Sequence, residues 1–365
     1  MKLECKIGNL KNKLSVIEKI TGKNLSLPIL NSILFEVKNN DLIIKATNLE
    51  VGAEMKIPIK GEKDGKTAVV GSVINNTLNT LSDDDVVKIT LIGNNLSLVS
   101  KKTNTLIKTY PPDDFPTIPK IKNGKIIKIE STIFTNGIRT VSFAAATSDI
   151  KPEISSIYIY SENEFLYFVA TDSFRLAEKK TKVKNLNLGP VLIPQKNANE
   201  IIKFFDNTNE EVELVFDKNQ LSLETKDVYI TTRLTDGVYP NYRQIIPTTH
   251  KTNIVVLKKD IQNSLRLAGV FIDDFNRVTF KIISEDNFVE LISQNNNKGE
   301  NTTKIDAHLE GEDVEIGVNY RYLSEVFGVL GSDSVSIKFN DATKPILITP
   351  VGDDLFSYIV MPVSR

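Results

Sequence analysis

An acid or a nucleophile could be built from Asp172, which stands between Thr171 and Ser173, and a divalent metal could be held by the adjacent carboxylates of Asp113 and Asp114 in "DDFP". Neither constellation has the rest of its machinery. A hydrolytic site needs a base within reach of its nucleophile and a third group to orient that base. The chain offers two histidines, His250 in the polar stretch "PTTHKTN" and His308 in the strand-like "IDAHLEG", and it has no Gly-rich phosphate loop and no metal-spaced histidine pair. Cys5 is the single cysteine, which excludes an internal disulfide and a cysteine-based zinc site. The expectation is a protein with no catalytic residue, no metal and no cofactor, one that binds rather than reacts.

What must be positioned is therefore a surface. At 365 residues the chain is too long for one ordinary core, and 41% hydrophobic with 25% charged residues is the balance of a folded protein of two or three domains. Apolar runs such as "SILFEV" and "LYFVA" stop well short of the roughly 20 residues that cross a bilayer. "MKLECKIGNLKNKL" lacks the apolar core of a signal peptide, so the expected compartment is the cytoplasm.

The organisation is repetitive. "IKATNLEVGA" at 44–53 returns as "FVATDSFRLA" at 168–177, and three stretches, 84–100, 210–225 and 333–349, read as alternating strand, polar turn, alternating strand. Proline-marked segments recur at 113–119, 237–247 and 358–362. Six amphipathic windows, 10–21, 72–81, 131–146, 197–207, 258–271 and 319–330, carry apolar residues at helical spacing, as in Leu10, Leu14 and Ile17. Three α+β repeats follow, with boundaries at 1–123, 124–249 and 250–365, each with sheets covered on one side by a helix pair. In the first repeat the "ATNLEVG" echo lacks the arginine of its counterpart and is read as a structural relic of the repeat, not a second site.

Ten basic residues, counting Lys196 at the margin of its window, stand in the helical windows against five acidic ones. The helices thus carry +5 in a chain of net charge −1, leaving −6 elsewhere. Helices gathered on one side would offer phosphates a weakly positive surface that reads no bases.

Five stretches in order, "LSLPILNSILFEV", "VSFAAATSDIKPEISSIYIY", "ATDSFRLAEKK", "GVYPNYRQIIP" and the terminal "YIVMPVSR", resemble the bacterial beta sliding clamps, the beta subunits of DNA polymerase III. The resemblance runs through the whole chain. It implies three DNA-clamp domains per chain and a head-to-tail homodimeric ring, helices lining the hole and sheets outside. It further implies a non-catalytic processivity factor that encircles double-stranded DNA and tethers the replicative polymerase. A clamp loader and other polymerases and repair proteins would share one peptide cleft between the second and third domains.

Carried over residue by residue, the resemblance assigns that cleft to Ile154, Thr171, Ser173, Phe174, Arg175, Leu176, Pro240, Ile245, Asn319, Tyr322, Pro345, Val360, Met361, Pro362 and Val363. DNA contacts fall on Lys23, Asn24, Lys151 and Lys196, and the dimer interface on Leu106, in an edge strand, with Val270 and Phe271 in "LRLAGVFIDDFN". Phe174 stands where the family commonly has His, Gln244 where a second Arg follows Arg243, and Ser364 interrupts the usual tail. These departures imply that apolar anchors still bind while preference at a peptide's polar flank differs. An enzyme, or a repetitive scaffold with no DNA role, is the alternative; neither would depend on DNA topology.

Overall fold

The computed structural model describes residues 1–22, 27–184, 186–206 and 208–363. The chain forms two compact units, Met1–Thr135 with Lys196–Leu234, and Asn136–Gln195 with Thr235–Arg365. Each unit is organised on one antiparallel sheet. Among the described residues the first unit's sheet has 13 strands, from Lys125–Glu130 at one edge to Lys60–Lys63 at the other. The second unit's sheet has 12, from Val191–Pro194 to Val314–Asn319.

The hairpins expected from alternation are present: Val86–Ile92 with Asn95–Val99, Glu211–Phe216 with Gln220–Glu224, and Ser334–Phe339 with Ile346–Pro350. Alternation also decides which face is covered. In Asp41–Thr47 the apolar Leu42, Ile44 and Ala46 are fully buried while the residues between them reach solvent.

One strand pairing carries each sheet past the end of a sequence repeat. In the first unit Val228–Thr232 pairs with Val51–Met55, and in the second Arg175–Lys179 pairs with Phe356–Val360. These are the first and second joints. The middle repeat thereby contributes one strand set to each sheet, so the compact units do not coincide with the sequence repeats.

Among the described residues six α-helices accompany the sheets: α1 (Ile7–Ile17), α2 (Gly71–Asn79), α3 (Ser131–Val141), α4 (Gln195–Phe204), α5 (Lys258–Ala268) and α6 (Tyr320–Val329). All are short enough to be marginal alone, so burial of one face must hold them. In α1 that face is Ile7, Leu10, Leu14 and Ile17, and in α5 Ile261, Leu265 and Ala268. The windows at 10–21 and 131–146 run past the helix ends; Glu18–Ile20 and Ser142–Ala144 continue them as single tighter 3-10 turns. Gly137 sits inside α3 at a cost of about 1 kcal/mol relative to alanine. A Cβ there would lie 2.2 Å from the Phe168 ring, so the glycine lets the helix rest directly on its strand.

Candidate functional site

The segment Thr171–Arg175 links two paired strands of the second unit. Its geometry follows from small polar side chains satisfying backbone groups that the ladder leaves free. Thr171 Oγ1 donates to the Arg175 carbonyl at 2.6 Å and accepts from the Ser173 N–H at 3.2 Å. Asp172 Oδ1 accepts from the N–H groups of Phe174 and Arg175 at 2.9 and 3.0 Å. Ser173 has φ of 79°, the left-handed region, and the turn sends the Phe174 side chain into solvent, 61% exposed.

Arg175 does the opposite. Its side chain is buried, donating from Nε to Asp172 Oδ2 at 3.0 Å and from a terminal nitrogen to Glu325 of α6. The guanidinium lies 4.5 Å from the Tyr322 ring centre and 5.6 Å from that of Phe143, a cation held between two aromatic faces. Burial alone would lower its pKa, yet the bond to Glu325 leaves it above the ordinary value, so the charge is permanent. Asn319 caps α6, its side chain accepting from the Arg321 and Tyr322 N–H groups, and so fixes where Tyr322 begins.

The C-terminal strand completes the arrangement. Arg175 and Val360 are register partners, the Met361 N–H donates to the Phe174 carbonyl at 2.8 Å, and the Val363 N–H donates to the Gly317 carbonyl at 2.9 Å. Met361, Pro362 and Val363 then wall a cavity of about 610 Å³ together with Arg277, Ala342 and Thr343.

Behind the turn, Leu176 packs with Val169, Leu192, Tyr239, Tyr242 and Ile359. "YPNYR" works here as a clasp. Tyr239 stacks on Tyr158 at 4.6 Å, the Tyr242 hydroxyl donates to Glu178 Oε2 at 2.5 Å, and Arg243 bonds to the Tyr160 hydroxyl and to Glu162. Burial, and the acceptor at Glu178, push the Tyr242 pKa far up, so the phenol stays protonated as a donor.

The assigned cleft residues thus divide by exposure. Phe174, Ser173, Pro240 and Ile245 face solvent; Tyr322, Asn319, Pro345, Met361, Pro362 and Val363 are half-buried. Thr171, Arg175, Leu176, Val360 and Ile154 are buried. Direct bonds, ring contacts or register join Thr171, Ser173, Phe174, Arg175, Asn319, Tyr322, Val360 and Met361. Pro240 follows Tyr239 of the Leu176 cluster and Pro345 precedes Ile346, the register partner of Val360, while Ile154 lies at the end of a separate turn closed on the Lys151 carbonyl. Glu325 and Phe143 were not foreseen. The aromatic partners lie distant in sequence from Arg175, and only the Asp172–Arg175 spacing hinted that the arginine was held.

Lys151 is exposed in that turn and Lys196 lies in the first turn of α4, while Lys23, Asn24 and Ser364 are outside the described residues. Leu106 is 63% exposed on Asn104–Tyr110, a strand that pairs through Asn104 to Lys108 on one side and only through Thr109 and Tyr110 on the other. Val270 is 55% exposed just beyond α5. The "LRLAGVFIDDFN" stretch is the end of α5 followed by turns, and a half-open strand in the same repeat is Gly299–Gly311, paired with Phe288–Asn295 up to Asp306 and with Thr252–Val256 from Ala307 onward. His250 and His308 are both solvent-facing. No group of His, Cys, Asp and Glu among the described residues could hold a metal ion, and no helix there is long and apolar enough to cross a membrane.

Repeated clamp domains joined through continuous sheets define the class, and the sequence models agree. The N-terminal, central and C-terminal domains of the DNA polymerase III beta subunit match residues 1–119, 128–241 and 243–364 in turn. The chain belongs to the DNA polymerase III beta subunit family. Among its relatives are proteins described as beta sliding clamps, from Buchnera aphidicola subsp. Rhopalosiphum padi (28% identical, all of both chains) and from Synechocystis (26% identical, 100% of this chain and 99% of the relative). The crystal structure of the DNA polymerase III beta subunit from Thermotoga maritima superposes with a TM-score of 0.93 at 29% identity, over 100% of this chain and 99% of that one. The family's role is that of a non-catalytic processivity clamp of the polymerase holoenzyme, and this chain shares it.

Proposed function

We propose that two copies of this chain close head to tail around duplex DNA, and that the surface beside the second joint captures peptides from the proteins the ring tethers. The observation that carries the ring is a pair of half-open strands, Asn104–Tyr110 in the first repeat and Gly299–Gly311 in the third. Unpaired backbone donors and acceptors on such edges seek a partner strand. Leu106 on the first edge, and Val270 with Phe271 beside the second, supply apolar area for the same contact. Phe271 lies 3.8 Å from where a Cβ of Gly299 would stand, which supports this reading.

Encirclement needs little contact energy, since topology retains the DNA. The modest excess of basic residues on the helices, Lys151 and Lys196 among the candidate contacts, suits a ring that must slide. At the second joint Phe174, Ile245, Pro345, Met361 and Pro362 offer apolar anchor points around the fixed Arg175, the mixture that accepts short linear motifs. Methionine lets one pocket fit several of them. The clients would be the replicative polymerase, a clamp loader, and other polymerases and repair proteins, acting in the cytoplasm.

The test is retention against topology. Protein loaded by a clamp loader onto a nicked circular plasmid should survive a high-salt wash and be released when the plasmid is linearised. Equal retention on circular and linear DNA, or none on either, would overturn the ring.

A further inference from the structure

The first joint repeats the second position by position. Thr47 pairs with Gly52 as Thr171 pairs with Leu176, and Val51 with Thr232 as Arg175 with Val360. One strand further, Leu221 opposes Thr232 as Ile346 opposes Val360. In sequence, "FPTIP" at 115–119 stands to the first joint as "YPNYR" at 239–243 stands to the second. The first joint holds a cavity of about 260 Å³ walled by Leu49, Pro116, Thr117, Gln220 and Arg233.

The two floors differ in chemistry. At the second joint the register pair Leu176 and Ile359 is apolar and packed under Tyr239 and Tyr242. At the first, the matching pair is Gly52 and Thr231. Ile118 takes part of the room a leucine would need, since a Cβ on Gly52 would lie 2.9 Å from its Cγ2. The space that remains would hold about eight waters at ~30 Å³ each, or one or two side chains. Glu50 and Arg233 face each other at 4.0 Å, both more than half exposed. Their charges cancel, so the groove offers a charged ligand little net field.

We propose that this cavity is a second peptide-binding site. It takes an extended segment with an uncharged hydrogen-bonding side chain, Ser, Thr, Asn or Gln, beside Gln220 and above a buried Thr231 whose hydroxyl donates to the Leu221 carbonyl at 3.2 Å, where the second joint takes an apolar one. Leu49, 45% exposed, packs against the neighbouring aliphatic residue of the segment. The choice of a peptide rests on the peptide-cleft reading of the second joint, because the two share one backbone framework; the choice of polarity rests on the first joint alone.

Two fluorescein-labelled hexapeptides, acetyl-Gly-Val-Gln-Ser-Val-Gly and its counterpart with Leu for Gln and Ser, would be titrated into the full-length protein by fluorescence anisotropy. Gln220→Trp should weaken the polar peptide at least roughly tenfold and leave the leucine peptide unchanged, while Met361→Asp should do the reverse. Leu49→Asp, at an exposed position, repeats the first test should the tryptophan disturb folding. The proposal is overturned if the polar peptide fails to bind by about 1 mM, if both Gln220→Trp and Leu49→Asp leave its affinity intact, or if Met361→Asp abolishes it. A leucine peptide indifferent to Met361→Asp would instead remove the cleft reading, with the polar-peptide result still standing.

Discussion

The turns Thr47–Val51 and Thr171–Arg175 are closed by the same five hydrogen bonds, from Thr side chain to fifth carbonyl, from third N–H to Thr, from fourth and fifth N–H to the Asx oxygen, and from second N–H to fifth carbonyl. Their third residues, Leu49 and Ser173, have φ of 76° and 79°. They part at the fifth side chain. Val51 ends in packing, 1% exposed, whereas Arg175 reaches Asp172, Glu325 and two aromatic rings. The backbone of a turn can therefore be inherited whole while one side chain decides whether it only joins two strands or also anchors a neighbouring helix.

The largest separation between the two units should come from alkali. Tyr239, Tyr242 and Tyr358 of the second unit are buried, and burial raises each pKa; in the first unit Tyr229 is raised as well, also by burial. The unfolded phenols ionise near pH 10 while the folded ones stay neutral, so the stability they confer is complete below that pH and falls as pH rises above it. The loss is up to about 1.4 kcal/mol per tyrosine per pH unit. Urea midpoints followed by circular dichroism between pH 9 and 11 should drop, and Tyr358→Phe should flatten that drop more than Tyr229→Phe does. Equal flattening would erase the contrast.

Arg175→Ala removes the cation beside the largely buried Asp172 together with a buried side chain packed on two rings, and should cost about 3 kcal/mol, against about 2 for Val51→Ala, which opens a small cavity. Urea denaturation measures both, and equal losses would mean the arginine's bonds add nothing to its packing. Asn319→Ala should cost about 1 kcal/mol by uncapping α6, and should also loosen the Tyr322 contact, seen as faster amide exchange at Arg321 and Tyr322. Smallest of all, Leu49→Gly and Ser173→Gly relieve the same left-handed strain, so each should shift stability by less than about 1 kcal/mol and in the same direction. Opposite signs in thermal melts would show that the two turns are not the same device.

Much of this was legible before any coordinates. Periodicity located the six helices and three hairpins because each needs a single buried stripe or face, as Leu10, Leu14 and Ile17 display. The echo at Thr47 and Thr171 marked both turns, since the threonine hydroxyl is what closes them. Pairing between distant strands was not legible. Nothing in Val51–Met55 names Val228–Thr232 as its partner, because ladder bonds are made by backbone that every residue carries. The strand in "IDAHLEG" was legible, but the half-open pairing of Gly299–Gly311 was not, for the same reason. Sequence could nominate Arg175 but not the rings of Tyr322 and Phe143 beside it, and it could not tell that Leu176 and Val360 are fully buried.

The division of the middle repeat has a practical consequence for anyone cutting the gene. Five residue pairs tie it to the first repeat and five to the third. A fragment expressed as residues 128–241 would shed both ladders at once and carry two long, flat, newly bare margins into the test tube. Such margins template filaments and precipitates. Soluble fragments are better drawn along the sheets than along the repeats.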